Sequence, residues 1–206
     1  MPDRLRSRGH RPVSYGISIM TRIVGISGSL RRGSYNAALL RAAVEVTPAG
    51  VTLEVGTIRG IPLYDYDVES TEGVPPAVAK LKEQVANADG MLLVTPEYNN
   101  SIPGVFKNTI DWLSRPPADA PRLFKGRPVA IIGASPGRFG TLLSQTAWLP
   151  IVRTLGMRPW YGSAPLYVSD AAHVFDASGK MVDVSARERL EKFIGGYVQF
   201  VAQGHG

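Results

Sequence analysis

The stretch MLLVTPEYNNSIPGVFKNTIDWL, residues 91–113, joins a short apolar run to a segment with helical spacing. Residues 91–94 have the length and composition of a buried strand, and apolar residues then recur at helical intervals from Phe106 to Leu113. Between them, residues 96–100 supply a proline, a carboxylate, a tyrosine and two asparagines. A plain turn needs only one or two such residues. The segment therefore predicts a strand–loop–helix unit whose loop holds a ligand.

The same alternation of strand and helix extends in both directions along the chain. Pro150 is expected to kink or split the fourth helix, since proline removes a helical hydrogen bond. Residues 61–76, rich in Pro, Gly, Asp and Tyr, predict a long loop. Strands are predicted at residues 23–26, 51–57, 90–95, 128–133 and 159–161, with 166–168 as a candidate continuation of the fifth, and helical patterns at 36–47, 78–88, 103–113, after 140 and at 190–201.

Five strands that alternate with helices predict an α/β fold, with a five-stranded parallel sheet between two layers of helices. Ligands of such sheets bind beyond the carboxyl ends of strands, where the strand order reverses. In a sheet of order 2-1-3-4-5, strands one, three and four are neighbours. The loops that follow them, 27–36, 95–101 and 133–140, are then expected to converge on one crevice.

The composition limits the kinds of functional site that the chain can contain. A chain of 206 residues that is 44% apolar has room for one domain with a sizeable core. It contains no cysteine, which excludes disulfides and thiolate chemistry, and its three histidines are too far apart in sequence to suggest a metal site. No apolar run approaches the roughly 18 residues of a membrane span. We expect a cytoplasmic protein that has no membrane partner and no metal.

The net charge of +6 is unevenly distributed. Residues 1–19 hold four arginines against one aspartate, a pattern that can bind nucleic acid or serve in targeting. A disordered extension, or a translation start placed too early, is the simpler interpretation, because Met20 is followed at once by the first strand. We expect residues 1–19 to be a disordered basic extension and residues 20–206 to form the domain. The remaining positive charge is too small to indicate a nucleic-acid partner.

The first loop, residues 28–36, combines glycines, serines, an asparagine and arginines before a helix. Glycine permits close backbone approach, and the N–H groups at a helix start favour an anion. The loop is neither a Walker motif nor a G-x-G-x-x-G fingerprint, and no acidic residue ends the second strand to hold a ribose. A monophosphate therefore fits better than a pyrophosphate. The alternative is a glycine-rich turn with a helix cap.

The other two loops suit a planar ring. Residues 96–99 offer backbone donors and an aromatic neighbour, and residues 134–140 are small enough for close approach from the other side. Glu97 as a general acid is an alternative, although no partner carboxylate or histidine is evident nearby in the sequence.

With all three loops in this order, the chain resembles the NADPH-dependent FMN reductase family, and within it the chromate and quinone reductases. The resemblance covers about residues 21–200. Departures from the family pattern are the basic extension, Pro150 and Asn100. The motifs that carry it are Gly28-Ser29-x-Arg31 with Ser34 and Asn36, Pro96-Glu97-Tyr98-Asn99, Ile102-Pro103-Gly104, Lys107-Asn108, Asp111-Trp112 and Gly133-Ala134-Ser135-x-Gly137.

The resemblance implies a flavodoxin-like fold with noncovalent FMN and a homodimer or homotetramer. It also implies two-electron reduction of quinones, azo compounds, free flavin or chromate by NADPH or NADH. The residues implied to hold the phosphate are Ser29, Arg31, Ser34, Tyr35 and Asn36, those along the isoalloxazine are Pro96, Glu97, Tyr98 and Asn99, and those reaching the flavin from the third loop are Ser135 and Gly137. No side chain is assigned as catalytic, because the flavin carries the chemistry.

Two rival functions remain at this point. A flavodoxin-like electron carrier would bind FMN without oxidising a nucleotide, but such carriers tend to be strongly acidic and this chain is basic. A nonenzymatic phosphate or nucleotide sensor is the other. The chain has no second glycine-rich unit for a dinucleotide, which favours donor and acceptor taking turns at one flavin face.

The helix at 103–115 has a second apolar face, formed by Val105 and Trp112. With the flanking Lys107 and Asp111, it is expected to form a two-fold interface between copies of the chain.

Overall fold

A computed structural model describes residues 20–205 of the chain. The predicted extension, residues 1–19, lies outside the described residues. The strands are β1 (Thr21–Ser27), β2 (Val51–Gly56), β3 (Gly90–Val94), β4 (Pro128–Ala134), β5 (Arg158–Trp160) and β6 (Tyr167–Val168), and the helices are α1 (Tyr35–Glu45), α2 (Tyr66–Glu72), α3 (Pro76–Ala86), α4 (Gly104–Leu113), α5 (Ala120–Phe124), α6 (Leu142–Ala147), α7 (Leu149–Thr154), α8 (Ala171–Val174) and α9 (Val184–Ala202).

The sheet confirms the predicted order: it runs β2-β1-β3-β4-β5, and every pair of neighbours is parallel. β6 pairs with the carboxyl end of β4 beyond β5, so residues 166–168 do continue the fifth strand position. One face of the sheet packs against α1 and α9, and the other against α3, α4, α5 and α7. The three layers are those of a flavodoxin-like fold.

The middle of the sheet is fully covered by helices. All five residues of β3 are buried, which explains why this strand is a continuous apolar run without alternation. Tyr197 of α9 lies against the amino-terminal ends of β3 and β4, where its hydroxyl hydrogen-bonds the carbonyls of Met91 (2.7 Å) and Pro128 (3.0 Å). Burial raises the pKa of the Tyr197 phenol, so the hydroxyl keeps its proton and remains a donor.

Pro150 divides the fourth predicted helix into α6 and α7, as expected. The prediction of a long loop at 61–76 was wrong, because α2 lies within it. None of the residues of α2 is buried, so it has no apolar stripe to reveal it. Its position is instead fixed by Glu69, whose carboxylate accepts hydrogen bonds from Tyr64 (2.7 Å) and Arg115 (3.2 Å).

The assignment of Trp112 to an exposed face of α4 was also wrong. Its side chain is fully buried, and its indole N–H donates to the Pro62 carbonyl at 3.0 Å. Tyr64 packs edge-on against the same ring. The segment before α2 therefore covers the face that the sequence left open.

Within residues 20–205, no helix combines the length and the apolar character that crossing a bilayer requires.

Candidate active site

The loops after β1, β3 and β4 are joined to one another by hydrogen bonds. The Gly28 N–H donates to the carbonyl of Val94 at 2.9 Å, which links the first loop to the start of the second. The Asn36 side chain bonds both backbone groups of Ala134, with its amide N–H 2.8 Å from the carbonyl and its oxygen 2.9 Å from the N–H. Asn36 is buried, and these two bonds make its amide a link between the first and third loops; its role at the phosphate stays a prediction.

The second loop is fixed to the start of α6. Glu97 accepts a hydrogen bond from the Ser144 N–H at 2.9 Å, and the hydroxyls of Thr95 and Ser144 lie 2.8 Å apart. Glu97 is thereby placed as a positioning group, which disfavours the alternative of a general acid. Asn99 and Asn100 form the turn with φ of 51° and 62°, a left-handed conformation that asparagine tolerates better than most residues.

The first loop carries arginine side chains next to the start of α1. Ser34 caps this helix, since its hydroxyl oxygen accepts from the N–H groups of Asn36 and Ala37, both at 3.2 Å. The Arg31 guanidinium lies over the ring of Tyr35 at 5.5 Å, and this ring stacks on Phe175. Tyr35 therefore orients Arg31, while Ser29 holds the Arg31 N–H at 3.4 Å.

The third loop is closed by its own hydrogen bonds. The Ser135 hydroxyl donates to the Gly140 carbonyl at 2.5 Å, and the Ser135 N–H donates to Val168 in β6. Gly137 and Phe139 are exposed at the tip of the loop, with Phe139 at 77%. Ser135 thus shapes the loop, and its tip presents backbone and one aromatic ring to the surface.

Two glycines make the close approach of these loops possible. A Cβ at Gly28 would lie 2.2 Å from the ring of Phe106, and a Cβ at Gly133 would lie 2.3 Å from the backbone carbonyl oxygen of Thr95. Neither distance is tolerable for real atoms. The convergence of the loops therefore requires glycine at both positions.

The site leaves polar groups without partners. The Ser27 hydroxyl is buried and makes no hydrogen bond within the part of the chain that the structure describes. Backbone N–H groups in the three loops are likewise unpaired among residues 20–205: Ser29, Arg32 and Gly33 in the first, Glu97 and Asn99 in the second, and Gly137 and Arg138 in the third. Buried polar groups are normally paired, so the Ser27 hydroxyl is unusual. The N–H groups belong to exposed or half-exposed residues, and they are donors that a ligand with several acceptors can use.

These features fit FMN. Its phosphate matches the arginine and the unpaired N–H groups at the start of α1, and the polar edge of its ring matches the N–H groups of the second loop. Among residues 20–205, no cluster of three or more His, Asp or Glu side chains could hold a metal ion. The fold and the site together define a flavodoxin-like, flavin-binding protein.

Comparison with known proteins gives the family. Residues 21–166 match the model of the NADPH-dependent FMN reductase family. The chain is 46% identical over 171 residues to an NAD(P)H-dependent FMN reductase of Pseudomonas aeruginosa, a match that covers 83% of this chain and 90% of the relative. It is 38% identical over 186 residues to 2-hydroxy-1,4-benzoquinone reductase of a Burkholderia species, with 87% and 96% covered.

A solved structure agrees with these relatives. The flavoenzyme FerB, an NAD(P)H:acceptor oxidoreductase of Paracoccus denitrificans, superposes with a TM-score of 0.79 at 29% identity, covering 89% of this chain and 98% of FerB. The chain belongs to the NADPH-dependent FMN reductase family. The predictions of FMN as cofactor, of NAD(P)H as electron donor and of an oxidoreductase are confirmed.

Sequence reasoning missed three residues that shape this site. Thr95 and Ser144 are buried hydroxyl residues that join the second loop to α6. Arg59, just after β2, donates to the Leu30 carbonyl at 2.8 Å and so holds the first loop. The position of Thr95 and Arg59 directly beyond strand ends was the available signal; Ser144, inside a helix, gave none.

Proposed function

We propose that the physiological acceptor of this reductase is a quinone. The observation that carries the proposal is the single open surface formed by the three joined loops, bordered by the half-exposed Tyr98 and the exposed Phe139. Flat aromatic side chains at an open edge suit a flat acceptor that binds by stacking. The Burkholderia relative, named for a benzoquinone, supports this choice. Azo compounds, free flavin and chromate are further candidate acceptors.

The chain's own residues would bind the FMN cofactor and orient it. Arg31 and the N–H groups of the first loop would hold the phosphate, together with the hydroxyls of Ser29 and Ser34. When bound, FMN supplies the redox chemistry, accepting electrons from the nicotinamide and passing them to the acceptor. The N–H groups of Glu97 and Asn99 would lie at the polar edge of the ring, where preorganised donors of this kind would stabilise negative charge. Asn36 and Glu97 keep the three loops in register.

Donor and acceptor are expected to take turns. The described part of the chain offers one three-loop surface, so both substrates must stack on the same exposed face, and they exclude each other. We predict ping-pong kinetics: double-reciprocal plots of NADPH oxidation at several quinone concentrations give parallel lines, and excess quinone inhibits competitively against NADPH. Intersecting lines, together with a stable ternary complex, would contradict the shared surface.

We also propose a homodimer or homotetramer through the region of residues 103–115. With Trp112 buried, the contact falls to Val105, to the half-exposed ion pair between Lys107 and Asp111, and to exposed leucines of α6 and α7. A groove of about 280 Å³ runs between α4 and α7 beside this pair. A second copy is the partner, because the cation and the carboxylate on one face can pair across a two-fold axis.

Leu143→Glu should dissociate this assembly, because a carboxylate would be buried without a partner at the contact. Val184→Glu, which alters an exposed apolar residue at the start of α9, is the matched control and should leave it intact. Light scattering of the unaltered protein that gives a mass near 22.2 kDa at micromolar concentrations would refute the assembly.

Two further predictions complete the proposal. Residues 20–206 form the reductase domain, and the basic extension is dispensable for it. The location is cytoplasmic, since reduced nicotinamide nucleotides are the electron donors.

A further inference from the structure

A groove lies between α9 and residues 161–166, the segment that connects β5 to β6. β4 pairs with β5 as far as Ala130 and with β6 from Gly133 onwards, so the connecting segment takes no part in the sheet. This α9 groove has a volume of about 670 Å³, which is within the range of sites for small molecules.

The α9 groove carries positive charge that its own lining does not neutralise. Arg189 and Lys192 lie three positions apart on α9, and both are exposed and line the groove. Neither side chain makes an ion pair or a hydrogen bond within residues 20–205. The neighbouring carboxylates Glu188 and Glu191 do not line the groove, and Glu191 is paired with Arg187 at 3.3 Å. The two cations are therefore available to an anionic ligand.

The rest of the lining is mainly apolar, and Trp160 is its largest member. The Trp160 ring packs against α9 at Gly196 and lies 5.3 Å from the ring of Phe200. Its indole N–H is shielded from solvent and makes no hydrogen bond among the described residues, which is uncommon for a buried donor. Leu166 and Phe193 are buried in the same lining. The groove thus offers a fixed aromatic surface to an apolar ligand.

Gly195 leaves the backbone of α9 uncovered at the groove. Glycine is unfavourable inside a helix, so its presence there calls for a reason. Gly196 has one, because a Cβ at this position would lie 2.9 Å from the Trp160 ring. A Cβ at Gly195 would meet no atom within 4 Å, so packing within the described chain does not require glycine there. The missing side chain instead gives a flat ligand room to lie close to the helix.

We propose that the α9 groove binds an aromatic carboxylate. The carboxylate pairs with Arg189 and Lys192, since a guanidinium and an ammonium group both bind this anion well. The ring lies against Trp160 and the uncovered backbone at Gly195, because a flat aromatic surface favours a flat ligand. None of the groove residues belongs to the three loops of the candidate active site, so binding here does not depend on the proposed function.

Calorimetric titration of the FMN-loaded protein with 2-naphthoate tests the groove without turnover. The neutral 2-naphthalenemethanol, which has the same rings, should bind about fivefold more weakly, the ratio that one ordinary hydrogen bond gives. Arg189→Gln and Lys192→Gln should each weaken 2-naphthoate by a similar factor and leave the affinity for 2-naphthalenemethanol unchanged. Octanoate, a carboxylate without a ring, should bind the unaltered protein more weakly than 2-naphthoate.

Lys80→Gln is the matched control, because Lys80 is an exposed lysine of α3, on the opposite face of the sheet. It should bind 2-naphthoate as the unaltered protein does. The proposal is overturned if millimolar 2-naphthoate does not bind, if octanoate binds more tightly, or if both groove variants keep the affinity of the unaltered protein. A loss of affinity in Lys80→Gln equal to theirs also overturns it, since net charge alone would then explain the effect.

The visible absorbance of the flavin separates the groove from the three-loop surface. The flavin band should keep its shape throughout the titration with 2-naphthoate. A band that shifts with the same midpoint as the heat signal would place the anion on the flavin and overturn the assignment to the α9 groove.

Discussion

Replacing Gly133 by alanine is expected to destabilise the protein severely and to abolish FMN binding. The added Cβ would lie 2.3 Å from the Thr95 carbonyl oxygen and 2.0 Å from the Thr141 hydroxyl. The first of these is backbone at the centre of the sheet and cannot move aside. Overpacking a core typically costs 1–3 kcal/mol, and a backbone clash lies at or beyond the upper end. A cost of about 3 kcal/mol lowers Tm by roughly 6–12 °C in a chain of this size.

Gly137→Ala in the same loop is the matched control for stability. Its Cβ would meet only the Ser135 hydroxyl at 3.7 Å, an ordinary contact, so Tm should change by little. Thermal unfolding of both variants, with flavin content measured by absorbance after gel filtration, makes the comparison. Equal Tm values for the two variants would mean that the ends of β3 and β4 do not approach as described.

Arg31→Ala should weaken FMN binding by about 1.5–3 kcal/mol, the range for a hydrogen bond to a charged group. This corresponds to a loss of roughly 10- to 150-fold in affinity. Riboflavin, which lacks the phosphate, should bind the variant and the unaltered protein almost equally. Fluorescence titration of the apoprotein with each ligand measures both constants.

Arg32→Ala controls for the general loss of a positive charge in the same loop. Both arginines are exposed, but the Tyr35 ring orients Arg31 and no such contact holds Arg32 among residues 20–205. The effect of Arg32→Ala should therefore be smaller and should fade as salt screens it. Equal losses for FMN and riboflavin in Arg31→Ala would place Arg31 against the ring or in the fold rather than at the phosphate.

Much of the fold could be predicted from the sequence because its signals are local. The strands at the centre of the sheet are continuous apolar runs, the helices between them carry regular apolar stripes, and Pro150 marks its own helix break. α2 could not be predicted in this way. It buries no residue, and it is held by a hydrogen-bonded cluster whose members, Glu69 and Arg115, lie 46 positions apart.

The candidate site was predictable as three loops but not as a set of individual roles. Asn36 has the residue type of a phosphate ligand, and only the fold brings it to Ala134, which lies 98 positions away. The position of Trp112 in the helical pattern predicts a side chain on an exposed face. Only the fold brings the Pro62 carbonyl to its indole N–H. A side chain's partner in a long-range contact depends on how the helices and strands pack. The local sequence pattern therefore does not predict that partner.

Anaerobic mixing of the FMN-loaded protein with NADPH, followed by a quinone, tests the central claim most directly. The claim is that the three joined loops hold FMN where a nucleotide and then an acceptor reach it. We predict that equimolar NADPH bleaches the yellow protein in a single kinetic phase that follows nucleotide binding. Addition of 1,4-benzoquinone should then restore the colour without further nucleotide. A protein that binds FMN yet keeps its colour with excess NADPH and NADH would contradict the account and indicate an electron carrier.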